Sequence, residues 1–482
     1  MRDVARVEGT KRMENVTLRE AGSAINADSG ELPGVPVAGV SIDSRTVGAG
    51  DLFFAIPGER YDGHEFVDAA LDGGAVAAVV SNDASMYPGE PGAKDAPGGL
   101  LLQVPDTIAA LQELAAWYRG RFDVRVVAVT GTNGKTTTKD MAAAVLSAEM
   151  PTARTEGNLN NHIGVPLTLL ELSSDDRAAV VEMGMNHPGE IRRLAEIARP
   201  HVGVITNVGE AHLETMGTLE AVAEAKGELL DALPPDGAAV LNADDPRIMA
   251  QAGRSAAKVT TYGLTEDAEL RGARINERFG PGVAAVEFEI DGDGKVELPV
   301  PGRHNVSNAL AALAVGDVMG VDREAGIRAL STFRSSPMRM RMTTAGRWTV
   351  LNDAYNSNPA SLAVALETLA GIADTRPSVA VLGDMLELGA RSPEAHRDAG
   401  RKLAELGVGH ALLYGNKVSH MREGAIEGGM PPANINVYES KDALARELEE
   451  LPVRDAVVLV KGSRDMRMEE VVELLVKEAP AS

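Results

Sequence analysis

The stretch Arg125–Asp140, RVVAVTGTNGKTTTKD, decides the fold. An apolar, β-branched run ends in a glycine turn, and the turn ends in Gly134-Lys135-Thr136. Such runs form strands buried on both faces, and the following TTKDMAAAVLSA has the composition of a helix. The backbone N–H groups of a strand–turn–helix of this kind converge on phosphate oxygens, and the helix N-terminus adds partial positive charge. Lys135 has the reach for β- and γ-phosphates, and the Thr136 hydroxyl suits Mg²⁺. The common phosphate loop has a glycine five residues before Gly134. This chain has Val129 there, so the loop is shortened. Gly131, Thr132, Asn133, Gly134, Lys135, Thr136 and Thr137 are therefore the expected nucleotide loop. A plain strand–helix turn would account for the glycines but not for the lysine and the run of hydroxyls.

Outward from this loop the chain falls into three blocks. About three domains is the prior for 482 residues at roughly 150 per domain. Residues 1–103 carry short strand-like runs (GVSIDSR, DLFFAI, AVAAVVS) and a turn-rich surface loop at 86–99. Residues 104–335 open with a helix that Asp106 or Thr107 can cap, then alternate strands (AAVVEMG, HVGVITNVG, GAAVLNADD, AKVTTYG) with helices. Residues 336–482 repeat that grammar with RWTVLNDAYN, SVAVLGDM, HALLYG, NINVYES and AVVLVKGS. Apolar strands alternating with helices mean parallel sheets, so the fold class is α/β in three domains, the last doubly wound and Rossmann-like. That last block lacks a G-x-G-x-x-G turn after its first strand, so dinucleotide binding is not indicated.

The net charge of −23 disfavours nucleic acid and anionic membrane as partners. Phosphates must then be held in local pockets. There is no cysteine, which excludes disulfides and thiolate chemistry. No apolar run approaches the ~18 residues of a membrane span. Residues 1–12 are basic without an apolar segment behind them, so they suggest a frayed leader, with Met13 as an alternative start, and a cytoplasmic protein is expected.

Further candidates lie where the strands end. Glu182 closes AAVVEMG and His212 follows HVGVITNVG, both at the carboxyl edge where such sheets bind ligands. We expect these two strands to be neighbours beside the phosphate loop, and both side chains are Mg²⁺ ligand types. Lys226 falls on the apolar stripe of Leu219, Val222, Ala223, Leu229 and Leu230. It either snorkels to solvent or sits buried as a neutral, reactive amine. Asn305 and Asn308 share one helix face; their amides suit a purine edge, and Asn305 equally suits a helix cap.

Taken together, the motifs resemble the Mur ligase family, the ATP-dependent amide ligases of peptidoglycan precursor synthesis. They occur in the family's order: SIDSR, GTNGKTTTK, TEGNLNNHIGVPLTLL, EMGMNHPGEI, NVGEAH, AKGE, LNADD, GRHNVSNALAA, MRM, NDAYNSNP, LGDMLELG and KGSR. The shortened loop TGTNGKTTT is the family's own. The resemblance implies a small N-terminal UDP-sugar-binding domain, a central ATP-binding domain and a C-terminal ligase domain. It implies a ligase that adds D-alanyl-D-alanine to UDP-N-acetylmuramoyl-tripeptide through an acyl phosphate. A tripeptide-forming or folylpolyglutamate-type ligase is the alternative within the family, and a nucleotide-gated precursor-binding protein the alternative outside it.

Residue by residue, the resemblance gives Lys135, Glu182, His212 and Lys226 the catalytic roles. Thr136, Glu182, His212 and Lys226 would hold two Mg²⁺ ions, with Lys226 as a carbamate. Asn308, beside Asn305, would meet adenine. Arg341, with Arg339 as its rival, and Asp353 would close onto ATP from the third domain. Ser44, Arg45, Asn158, Asn160 and Asn161 would meet the UDP-sugar-peptide, and Tyr355, Asn356, Lys461 and Arg464 are third-domain substrate contacts. ATP and the two substrates are the expected partners, with a monomer and no membrane insertion.

Overall fold

Val126–Val129 are wholly buried in the middle of a nine-stranded sheet, and that placement organises the molecule. The computed structural model describes residues 13–29, 31–58, 60–81, 100–280, 283–292 and 294–478. The leader at 1–12 and the surface loop at 86–99 lie outside them.

Each block contributes one sheet. The first is parallel, in the order β1 (Gly39–Ser41), β2 (Asp51–Phe54), β3 (Ala77–Ser81), β4 (Leu100–Val104). The central sheet contains β5 (Arg125–Thr130), β6 (Thr152–Arg154), β7 (Ala178–Glu182), β8 (Val202–Ile205), β9 (Ala238–Asn242) and β10 (Lys258–Gly263). It continues through β11 (Leu270–Gly280), β12 (Val283–Ile290) and β13 (Gly294–Leu298), in the order β13-β12-β11-β10-β9-β8-β5-β7-β6. The third comprises β14 (Arg341–Ala345), β15 (Trp348–Asn352), β16 (Ser378–Gly383), β17 (His410–Tyr414), β18 (Ile435–Tyr438) and β19 (Ala456–Lys461), in the order β14-β15-β19-β16-β17-β18.

Two features differ from the sequence reading. β7 and β8 are not neighbours: they flank β5 on either side, so Glu182 and His212 approach the phosphate loop from opposite directions. The antiparallel β11–β12–β13 extension was not foreseen. Its charged residues alternate with Val286, Phe288, Val296 and Leu298, which are buried on one face, and that half-wet pattern lacks the continuous apolar run of the parallel strands.

The helix Thr107–Arg119 is capped by Asp106, whose carboxylate accepts from the N–H groups of Ile108 and Ala109 at 2.8 and 2.9 Å. Thr107 instead donates its hydroxyl to the Ala55 carbonyl in the first block. One apolar cluster runs from Met13 and Leu52 through Leu111 and Leu114 to Val126 and Leu229, so the first sheet and the central domain share a core. The third sheet has its own two clusters.

At the end of β16, Asp384 is buried and accepts from the N–H groups of Asn416, Lys417 and Val418 at 2.9, 3.0 and 2.9 Å. Gly415 makes this possible: its φ is 135°, and a Cβ there would sit 2.5 Å from the carboxylate. Gly415→Ala is expected to cost ~2–4 kcal/mol through backbone strain and the displaced hydrogen bonds. A urea unfolding midpoint equal to wild type would contradict this account.

Candidate active site

The phosphate loop does not rely on the missing first glycine, because β8 shapes it from the side. The Asn207 carboxamide oxygen accepts from Asn133 N–H at 2.8 Å, and Asn207 Nδ2 donates back to the Asn133 carbonyl at 2.9 Å. The Thr206 hydroxyl donates to the same carbonyl at 2.6 Å, and Thr132 N–H donates to the Asn207 carbonyl at 2.8 Å. Gly134 turns the chain into the helix Lys135–Ser147 with φ 79°, in the left-handed region where glycine is at ease. A side chain there would also meet the Asn308 carboxamide at 2.4 Å.

The loop opens onto a cleft of about 780 Å³ between the central and third domains. Thr132–Thr137, Asn160, Asn161, Glu182, His212, Lys226, Asn305, Asn308, Asp353, Tyr355, Asn356, Lys461 and Arg464 all line it. Lys135 Nζ folds back onto the carbonyls of Gly131 and Thr132, at 2.8 and 3.0 Å. Burial pushes its ammonium down, Glu182 opposes that, and Arg339 adds to it. Glu182 is buried at the end of β7, in register with Val129. Its Oε1 accepts from Asn160 Nδ2 at 2.7 Å, while Oε2 is buried with no partner.

Lys226 does not snorkel. It is 3% exposed and has no ion-pair partner among the described residues. Burial first, and the Lys135 charge second, hold its amine well below the ordinary lysine range. Two residues on, Glu228 accepts from the N–H groups of Gly189 and Arg192 and ties this helix to the helix Glu190–Ala198.

From the third domain, Arg339 Nη2 donates to Thr136 Oγ1 at 3.0 Å, and its guanidinium lies 3.8 Å over the Tyr355 ring. Arg341 does not line the cleft: it begins β14, exposed, opposite Asn352. This corrects the expectation, and the reason is local. Met338 and Met340 both take positive φ, 58° and 51°, and turn Arg339 inward before the strand starts. Asp353 lines the cleft, yet its carboxylate is spent: Lys461 Nζ lies 2.5 Å from Oδ2, and Met340 N–H donates to Oδ1 at 3.1 Å. Lys461 also donates to the Asn356 carbonyl at 2.8 Å.

Asn305 and Asn308 are likewise turned inward. Asn308 Nδ2 donates to Asn305 Oδ1, Asn305 Nδ2 to the Pro301 carbonyl, and Thr138 Oγ1 to Asn308 Oδ1. The pair therefore braces the loop from behind. Ser44 and Arg45 do not line this cleft; they occupy the turn after β1, where Arg45 pairs with Asp43. Gly131 and Asn158 do not line it either. Gly131 contributes its carbonyl to Lys135, and the Asn158 side chain hydrogen-bonds to Tyr355.

The sequence reading overlooked Asn358 and Glu387, although both fall inside the quoted motifs. Asn358 Nδ2 donates to Asn133 Oδ1 at 2.8 Å, so the third domain touches the phosphate loop directly. Glu387 Oε2 lies 2.8 Å from His212 Nδ1, and that hydrogen bond holds its carboxyl below the usual range.

Among the described residues no cluster of three or more His, Cys, Asp or Glu side chains could enclose a divalent cation. What stands ready is the partnerless Glu182 oxygen, the Thr136 hydroxyl and the His212 imidazole. These fit Mg²⁺, which takes few protein ligands and completes its shell with water and phosphate oxygens.

The chain matches the Mur ligase middle domain over residues 129–316, the Mur ligase glutamate ligase domain over 338–464, and the Mur ligase family catalytic domain over 36–119. It is 37% identical to the UDP-N-acetylmuramoyl-tripeptide–D-alanyl-D-alanine ligase of Escherichia coli (strain K12), across 96% of this chain and 99% of that protein. A crystal structure of MurF from Acinetobacter baumannii superposes with a TM-score of 0.84 at 31% identity, covering 97% of this chain and 100% of that one. MurF ligase from Thermotoga maritima in complex with ADP superposes with a TM-score of 0.76 at 29% identity, covering 91% and 97%. With three family domains in order along the sequence and likeness over nearly its whole length, the chain belongs to the Mur ligase family.

Proposed function

We propose that the chain is the ATP-dependent ligase that joins D-alanyl-D-alanine to UDP-N-acetylmuramoyl-tripeptide, yielding UDP-N-acetylmuramoyl-pentapeptide, ADP and phosphate. The observation that carries this is the cleft itself, where a phosphate loop on one domain faces Arg339, Tyr355 and Lys461 on the next. The relatives of matching length bear this activity in their names. The domains are residues 1–103, 104–335 and 336–482. The enzyme works as a monomer in the cytoplasm; no helix among the described residues is long and apolar enough to cross a membrane.

A carboxylate is a poor electrophile, so the tripeptide carboxylate first takes the γ-phosphoryl group of ATP, and the dipeptide amine then displaces phosphate from the acyl phosphate. Gly131–Thr137 and Lys135 hold the phosphates, and Arg339 adds positive charge from the third domain. Docking of that domain keeps water from the acyl phosphate and aligns the amine. Thr136, Glu182, His212 and a carbamate formed on Lys226 would hold Mg²⁺, which supplies charge neutralisation at the transferring phosphoryl group. A neutral amine, the form that burial favours at Lys226, is the one that adds CO₂, losing a proton, and the carbamate would supply an anionic oxygen donor. Asn160, Asn161, Tyr355, Asn356 and Arg464 face the joining end of the substrates. Ser44 and Arg45, away from this cleft, are left for the far, nucleotide-sugar end.

Phosphate release from ATP and Mg²⁺ tests the reading. Release should require both UDP-muramoyl-tripeptide and D-Ala-D-Ala and should leave a pentapeptide product by mass. Release with a single amino acid on a dipeptide or folate acceptor instead would keep the family and overturn the member. Nucleotide binding with no turnover on any acceptor would favour a precursor-binding protein.

A further inference from the structure

His212 and Glu387 meet across two domains, and both hold strained backbone. Their φ values are 55° and 62°. Eleven non-glycine residues among those described have positive φ, and four of them belong to two of the cleft contacts between central and third domains: Met338 and Met340, which flank Arg339, and this pair. Strain of this kind persists only where the surroundings over-determine it.

The loop that presents Glu387 is fixed without its side chain. Met385 and Leu388 are buried, Met385 N–H donates to His396 Nε2 at 3.0 Å, and Leu386 N–H donates to the Ser463 hydroxyl at 2.8 Å. Glu387 itself stands over the cleft with its carboxylate 2.8 Å from His212 Nδ1. A carboxylate only accepts, so Nδ1 must carry the hydrogen. In the neutral ring Nε2 is then the lone-pair nitrogen, and no described residue hydrogen-bonds to it.

We infer that Glu387 is a positioning residue that holds His212 in its Nδ1–H tautomer, so that Nε2 faces a divalent cation only when the third domain is docked. Carboxylate–imidazole–metal relays of this form fix ring orientation, and losing the carboxylate typically costs 10–100-fold in metal affinity. The inference rests on the ligase reading of the cleft, because that reading makes His212 a metal ligand.

Titration of the full chain with Mn²⁺ in the presence of β,γ-methylene-ATP, read by electron paramagnetic resonance, tests it. The wild-type chain should show two classes of bound Mn²⁺. Glu387→Ala should weaken one class ~10–100-fold, the same class that His212→Ala removes. Glu387→Gln should stay near wild type, because its amide oxygen accepts the same hydrogen bond. Two unchanged classes in Glu387→Ala would overturn the inference, as would a Gln variant as weak as the Ala variant. Simultaneous loss of both classes with a larger radius of gyration by X-ray scattering would show that Glu387 acts through docking alone, and the inference would fail. A wild-type chain with a single class indifferent to His212→Ala would overturn the underlying reading of the site instead.

Discussion

Lys135→Ala is expected to lower ligation by ~10³-fold or more while leaving the fold intact. Two effects fail together: the ammonium that neutralises the transferring phosphoryl group, and the placement of that group against the carboxylate. The fold should survive because the Lys135 ammonium makes two hydrogen bonds among the described residues, both to carbonyls of its own loop. The loop is held independently by Thr206 and Asn207, and Asn308 bonds to Thr138 in the helix that follows. Single-turnover phosphate release with both substrates present would read the loss, and the thermal midpoint would read the fold. Wild-type turnover in this variant would remove the phosphate-loop assignment.

Lys226→Ala should cost ~10²–10³-fold, the scale for losing an anionic donor at a transferring phosphoryl group. The side chain is buried, without an acidic partner among the described residues, and its neighbouring charge is the Lys135 cation. As a bare ammonium it would be costly. Burial and the Lys135 charge favour the neutral amine, and a carbamate would place an anionic oxygen ligand there. A small carboxylic acid such as acetate should therefore enter the space left by Lys226→Ala and restore part of the rate. Lys226→Arg keeps a cation, fills the space and cannot be carbamylated, so it should be inactive and unrescued. Normal activity of Lys226→Ala without added acid would exclude the carbamate role.

Much of the architecture was legible along the chain. Buried parallel strands need continuous apolar runs, and β5, β7, β8, β9, β16 and β19 all have them. The β11–β13 extension was hidden because one wet face interrupts that signal. Side-chain partners were harder to read. Asn305 and Asn308 look like purine contacts in sequence; the structure adds that the Pro301 carbonyl and the Thr138 hydroxyl tie the two amides together beside the loop. Asp353 looks free, but Lys461 is 108 residues away in sequence and 2.5 Å away in space.

The tandem Met338–Met342 shows where the division falls. Residues two apart on a strand share a face, so spacing alone could not separate Arg339 from Arg341. Two left-handed methionines break the alternation, sending Arg339 to Thr136 and leaving Arg341 on the outer edge. By itself the sequence determined the sheet type, the shortened phosphate loop and the residue types gathered at the strand ends, because these depend on local periodicity and short-range turn chemistry. Only the tertiary structure decided which arginine meets the loop, that Lys226 is buried unpaired, and that Glu387 crosses to His212. Those outcomes depend on contacts between distant segments, and their burial and hydrogen bonding exist only once the domains are packed.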